Sequence, residues 1–196
     1  MSDVDIAYEQ ITKFLNDDTS KTLLVCGVAD KEKHRTLLKA LNSKGRSKGL
    51  IFLIHTTKEG MENFFHWAEL YEVKVPKKYG EAARFLNLTI YFDNMTTKHS
   101  SNKYNNYAFD FMIVWPMQSV TKSQEEIQML HTMAERQKTK KIIYLTIKEP
   151  WYSADPLKPY VDQIVTLDCE NDDPEEYNRI MDSYKKDIEW YELKNR

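Results

Sequence analysis

Six short apolar runs, separated by stretches of helical periodicity, constrain this chain more than any other feature. They lie at residues 22–26, 50–54, 88–92, 109–115, 141–147 and 161–168. The runs are nearly continuous rather than alternating, which is the pattern of strands covered on both faces. Between them, residues 30–41, 61–71 and 123–137 place apolar side chains three and four apart, as amphipathic helices do. Alternation of this kind predicts a three-layer, doubly wound α/β fold with a mostly parallel sheet of five or six strands. A helix over 4–15 precedes the first strand. Residues 81–86 read as a short helix, and 93–107 and 148–160 as loops. A long terminal helix over 174–193 carries Tyr177, Ile180, Met181, Tyr184, Ile188 and Tyr191 on one stripe, part of which is expected to cover the sheet. No internal repeat or linker divides the 196 residues, so a single domain is expected: an N-terminal helix in 1–20, a sheet core over 21–168 and a C-terminal helix over 174–194.

Composition narrows the function classes. Charged residues make up 30% and apolar residues 41%, so the chain has enough apolar surface to fold. The net charge of -2 creates no global field toward nucleic acid or anionic lipid, though a local basic patch remains compatible with it. Two cysteines, Cys26 and Cys169, exclude a disulfide scaffold and fit a reducing compartment. The acidic start has no apolar run of a signal peptide, and no stretch approaches the ~20 apolar residues of a membrane span. The expected location is cytoplasmic, with no membrane partner.

Residues 22–41 frame a phosphate-binding loop with the wrong residues in it. A working loop is G-x-x-x-x-G-K-[S/T] between a strand and a helix. Here the window is Gly27-Val-Ala-Asp-Lys-Glu32-Lys33-His34. The first Gly and the Lys are present. Glu32 replaces the second Gly, and His34 replaces the hydroxyl residue.

The order of elements from Thr22 to Asp168 resembles the core of RecA-like P-loop ATPases. Four local matches carry the resemblance: Leu23-Leu-Val-Cys-Gly27 with Lys33; Gly49-Leu-Ile-Phe-Leu-Ile54; Phe109-Asp-Phe-Met-Ile-Val-Trp115 in the place of the Walker B strand; and Lys141-Ile-Ile-Tyr-Leu-Thr146 with Tyr160-Val-Asp-Gln-Ile-Val-Thr-Leu167. The resemblance implies a phosphate cradle of loop amides, a Lys on the terminal phosphates and a hydroxyl on Mg²⁺. Glu32 instead brings a negative charge to that loop. His34 is a poor Mg²⁺ ligand, because Mg²⁺ prefers oxygen. The Walker B strand ends in Trp115-Pro116 where an acidic residue belongs, and Asp110 lies at the wrong end. Gly27 and Lys33 are thus a remnant phosphate loop, with Lys33 read as a solvated first-turn residue. No catalytic residue, cofactor or metal is assigned.

Other chemistry has weaker support. The five histidines show no zinc-site spacing. Cys26 reads as buried packing rather than a nucleophile. Asp93 and Asp110 are candidate paired carboxylates for nucleic-acid cleavage, but no Glu-x-Lys follows on a neighbouring strand. Lys148, Trp151, Tyr152, Lys158 and Tyr160 form a loop that either covers the sheet end, stacks bases or meets a protein. Trp190 and Tyr191 form an aromatic end on the last helix. Two basic clusters, Lys44-Arg46-Lys48 and Lys138-Lys140-Lys141, read as solvated turns before strands. The leading expectation is a non-catalytic P-loop-like domain, a pseudo-ATPase that binds a protein partner or itself, alongside an active ATPase or its own copies. The alternatives are a nucleic-acid-binding accessory protein, or an enzyme with a site near Gly27, His55 and Asp93.

Overall fold

The computed structural model describes residues 1–54, 59–77, 81–94, 104, 107–117, 124–147 and 153–194. Among these, seven strands, β1 (Thr22–Cys26), β2 (Ser47–Leu53), β3 (Ala82–Phe85), β4 (Leu88–Asn94), β5 (Phe109–Trp115), β6 (Thr139–Leu145) and β7 (Gln163–Thr166), form one sheet. The α-helices among the described residues are α1 (Asp3–Asn16), α2 (Asp30–Ser43), α3 (Glu59–Trp67), α4 (Gln124–Arg136) and α5 (Pro174–Lys194). A 3-10 helix spans Asp155–Tyr160. The strand order is β3-β4-β2-β5-β6-β1-β7. Every pairing is parallel except β3 with β4.

Side-chain alternation feeds two cores. Leu23, Val25, Ile51, Leu53, Ile113, Ile143 and Leu145 face α1, α2 and α3. Leu24, Leu50, Phe52, Met112, Val114, Ile142 and Tyr144 face α4 and the 3-10 helix. This is why the strands read as continuous apolar runs: each carries one buried set per face. Phe111, Ile113 and Ile143 lie in the sheet core, as the sequence predicts.

Topology then sets the functional edge. From β1 the chain crosses the first face through α2 to reach β2, three positions away. From β5 it crosses the second face through α4 to β6, in the opposite direction. Reversed direction on the opposite face keeps both crossovers right-handed. The chain leaves β1 for α2 on the first face, whereas the next described element after β6, the 3-10 helix, packs on the second, so the carboxyl ends of these adjacent strands form a switch point. In open α/β sheets this switch point is where ligands bind.

Three expectations are corrected. Residues 81–86 are not a helix: Ala82–Phe85 pairs antiparallel with β4, from Ala82 opposite Tyr91 to Phe85 opposite Leu88. The helix begun before Met61 stops at Trp67, short of Tyr71. The terminal helix does not cover the sheet. None of its residues with described surroundings is buried, and Ile188, Trp190 and Leu193 are exposed. Its start is held instead near α1, where the Asp172 carboxylate accepts from the backbone N–H of Asp3 and Val4, each at 2.9 Å.

Gly49 leaves the space that the Phe111 ring occupies. It pairs with Phe111, and a Cβ there would stand 2.0 Å from the Phe111 ring. Gly49→Ala is expected to force that ring out of place and lower stability by about 1–3 kcal/mol. Ile143→Ala, which opens a cavity at a fully buried site, is expected to cost about 2–5 kcal/mol. Urea unfolding measures both. A loss below about 0.5 kcal/mol at Ile143, the usual surface range, would mean that β6 is not a central strand.

Candidate functional site

The loop at Gly27 sits at the switch point, and its groups are engaged by the protein itself. Gly27 ends β1 with φ of 110°, a left-handed conformation suited to glycine. A Cβ at this position would lie 2.3 Å from the Leu167 carbonyl oxygen, so the loop packs directly on the end of β7. Three bonds stitch the two together. Leu167 N–H donates to the Cys26 carbonyl at 2.9 Å, Ala29 N–H to the Leu167 carbonyl at 3.2 Å, and Val28 N–H to the Asp168 carboxylate at 2.8 Å. The amides of Val28 and Ala29, which a phosphate would need, already have acceptors. One of those acceptors is an internal anion.

Lys33 is not a solvated first-turn residue. Its side chain is fully buried. It donates to the Gly27 carbonyl at 2.5 Å and the Thr146 carbonyl at 3.0 Å, and it pairs with the Asp30 carboxylate at 2.9 Å. An ammonium has three donors, so these partners saturate it. Burial pushes its pKa below the usual lysine range, and the Asp30 charge works against that shift. Asp30 is the first residue of α2 rather than its cap; Ala29 holds the cap position and offers no side-chain bond.

His34 and Trp115 are brought together by the fold. Their ring centroids are 5.9 Å apart, edge to face, and Phe64 packs against both at 5.3 and 5.5 Å. Trp67 stacks on His34 at 6.4 Å. His34 Nδ1 lies 2.7 Å from the Asp30 carbonyl. A carbonyl only accepts, so Nδ1 carries the proton and Nε2 is a bare lone pair. Among the described residues neither His34 Nε2 nor Trp115 Nε1 finds a partner. Burial lowers the His34 pKa to about 3.

Beside this loop, the hollow between the ends of β1 and β7 and the start of α5 is acidic. Among the described residues, this hollow of about 640 Å³ is lined by Asp30, Glu32, Glu69, Asp168, Asp172, Asp173 and Glu176, against the bases Lys31 and Arg179. Lys31 and Arg179 pair with Glu69 and Glu176 respectively. A phosphate approaching this edge meets like charge.

The remaining expected site residues are scattered. Lys148, Trp151, Tyr152, His55 and His99 lie outside the described residues. Lys158 is exposed and pairs with Asp155 at 2.6 Å, while Tyr160 packs its ring 5.4 Å from His131. Trp190 is exposed on α5, and the side chain of Tyr191 lies outside the described residues. Cys26 is half-buried, with its sulfur 3.5 Å from Thr166 Oγ1. Asp93 and Asp110 do not form a pair. Asp93 stands at the level of Phe52 near the carboxyl end of β4, and Asp110 near the amino end of β5 beside Lys48. Four residue levels, about 13 Å along a strand, separate them. Lys140 and Lys141 belong to β6 rather than to a turn. Lys141 is buried, donates to the carbonyls of Asp17 and Ser20, and stands 4.6 Å over the Phe14 ring. Sequence reasoning missed Thr146 and Asp168. Each lies just past the carboxyl end of a strand beside β1, the only signal that could have marked them.

No family model matches the chain, and no curated protein sequence matches it. Among solved structures, the large terminase of a thermophilic bacteriophage (crystal form 2) is similar with a TM-score of 0.49 and 8% identity. The same terminase in complex with ADP (crystal form 3) gives 0.47 and 8%. Each comparison covers 83% of this chain and 44% of the terminase, so the chain spans less than half of those proteins.

Two outcomes follow from this geometry. Lys33→Met removes the ammonium from two buried carbonyls and takes its positive charge away from the buried Asp30 carboxylate. Its expected cost is about 3–5 kcal/mol, read by urea unfolding. His34 sets an acid limit on stability. With its folded pKa depressed to about 3, the unfolded chain binds more protons between the unfolded value near 6.5 and the folded one. Its contribution is complete above pH about 6.5 and is lost as pH falls toward 3. The slope approaches about 1.4 kcal/mol per pH unit. His34→Gln is expected to flatten that slope between pH 6 and 4, and an unchanged slope would place the acid sensitivity elsewhere.

Proposed function

We propose that this chain is a RecA-like P-loop domain without nucleotide chemistry, acting as a protein-binding or assembly component beside an active ATPase or among its own copies. The contact between His34 and Trp115 carries the reading. In P-loop ATPases the residues at these two positions, the loop hydroxyl and the Walker B acid, hold Mg²⁺ between them. Here the same positions are neighbours in space, with centroids 5.9 Å apart, but they form a buried ring pair. Mg²⁺ takes oxygen ligands in a near-ideal octahedron, and neither ring supplies one. The saturated Lys33 and the engaged amides of Val28 and Ala29 support the same conclusion. Phosphoryl transfer depends on positioned cations and donors, and here they face their own protein.

The protein-binding half of the proposal draws on α5. Its last turns present Ile188, Trp190 and Leu193 to solvent, with Leu193 at 71% exposure. Tryptophan concentrates in interface hot spots.

The first test is a thermal melt with millimolar Mg-ATP. No shift is expected, whereas a ligand at 100 times its Kd would add about 2.7 kcal/mol. A clear shift accompanied by ATP turnover overturns the pseudo-ATPase reading. The second test deletes residues 187–196. The monomer is expected to melt nearly unchanged, because the described side chains of that segment lie outside the core. Loss of a dimer by native mass, or of a captured partner in a nuclease-treated pull-down, supports the interface. A marked drop in melting temperature means that the segment is structural instead.

A further inference from the structure

The two basic clusters of the sequence meet at the amino edge of the sheet, opposite the acidic hollow. β2 and β6 flank β5, so Arg46 and Lys48 come alongside Lys140, with Arg84 on the edge strand beyond. Two adjoining hollows, of about 550 and 680 Å³, run along this edge and share Arg46, Ser47 and Asp110. Lys44, Arg46, Lys48, Arg84, Lys140 and Lys141 line them against two carboxylates, Asp18 and Asp110.

Not all of these cations are available. Lys141 is buried on carbonyls, Lys44 bonds the Asn16 side chain, and Lys140 pairs with Asp110 at 2.7 Å. Asp110 also accepts from the Lys48 backbone N–H at 2.9 Å, which holds the edge in shape, and its charge acts on the Lys48 ammonium without a direct ion pair. Arg46, Lys48 and Arg84 are exposed, and no ion pair joins them to a carboxylate among the described residues. From β2, where Arg46 and Lys48 stand, to β3, which carries Arg84, the edge crosses two strand spacings, about 10 Å. That span is too long for one small anion and matches several phosphates of a polymer, which carries about one charge per 3.4 Å along each strand of a duplex.

The surroundings narrow the polymer further. Single-strand binders stack bases on exposed aromatic rings, and the ring that lines these hollows among the described residues, Phe111, is buried. Membrane-binding surfaces insert a row of apolar side chains, and here Leu86 stands alone among exposed large apolar residues of the described lining. We propose that this edge binds the sugar-phosphate backbone of duplex nucleic acid without reading its sequence. It lies at the opposite end of the sheet from the closed phosphate loop.

Fluorescence anisotropy of the full chain with a labelled duplex of about 20 base pairs tests this. With three available cations, affinity is expected to fall roughly 40-fold between 50 and 200 mM salt. Two duplexes of unrelated sequence are expected to bind alike. Arg46→Glu with Lys48→Glu is expected to weaken binding at least about 10-fold and to flatten the salt dependence. Lys31→Glu, at the acidic carboxyl edge, is expected to change neither, and melting curves confirm that all variants fold. Absence of binding by the unaltered chain overturns the proposal, as does binding indifferent to Arg46→Glu and Lys48→Glu. Preference for a single strand of the same length, or for phosphatidylserine vesicles over the duplex, also overturns it and assigns the edge to that ligand.

Discussion

The Lys33 ammonium ties together the three elements that meet at the switch point. It joins the carbonyl that follows β1, the carbonyl that follows β6 and the first turn of α2. A doubly wound sheet opens a crevice at such a point because the chain leaves neighbouring strands toward opposite faces. The crevice must be filled, either by a ligand or by the protein. Burying an ammonium costs several kcal/mol unless its charge is matched and every donor finds an acceptor. Asp30 and two carbonyls meet both conditions. On the other side of the same loop, Asp168 accepts the Val28 amide. A cation and an anion of the protein's own thus close the loop from both sides.

That closure gives the residues around it a common physical reason. Glu32 stands beside a loop whose Val28 and Ala29 amides already bond within the protein. His34 can be neutral and buried because its Nδ1 proton goes to the helix backbone and its ring packs among Phe64, Trp67 and Trp115. A Mg²⁺ site needs hard, hydrated oxygens, and an aromatic cluster is their chemical opposite. The cluster fixes α2 and α3 against the end of β5, so that edge is packed with rings.

Charge is segregated along the strands. The carboxyl edge near β1 and β7 gathers carboxylates, and the amino edge near β2, β5 and β6 gathers lysines and arginines. The overall charge of -2 conceals this polarity. Because the sheet separates the two edges by a strand length, and exposed charges are screened over about 8–10 Å, each edge presents its own sign to a partner. The α5 helix adds a third surface, anchored at its start by Asp172 and α1 while its last turns stand clear of the core.

Local physics made much of the fold legible. Runs such as 109–115 and 141–145 are apolar on both faces, and that pattern allows little besides central parallel strands. Helix α2 was readable from its spacing, and so was the departure of the window at Gly27 from the phosphate-loop pattern. Residues 81–86 misled because Glu81-Ala-Ala-Arg84 favours a helix locally, whereas pairing with β4 through a turn at Leu86, with φ of 52°, makes Ala82–Phe85 a strand. Strand propensity is largely a property of neighbours. Lys33 misled for the same reason: a first-turn lysine is ordinarily solvated, and only the arrival of Thr146 on the adjacent strand makes its burial favourable. The sequence by itself determined the layered α/β class, the strands and the absence of an intact nucleotide motif, because these depend on periodicity and residue chemistry over short windows. The tertiary structure alone decided that His34 meets Trp115, that Asp168 answers Val28, and that basic residues some 90 positions apart share one edge. Those contacts depend on strand order, which arises from crossovers spanning the whole sheet and leaves no trace in any local window.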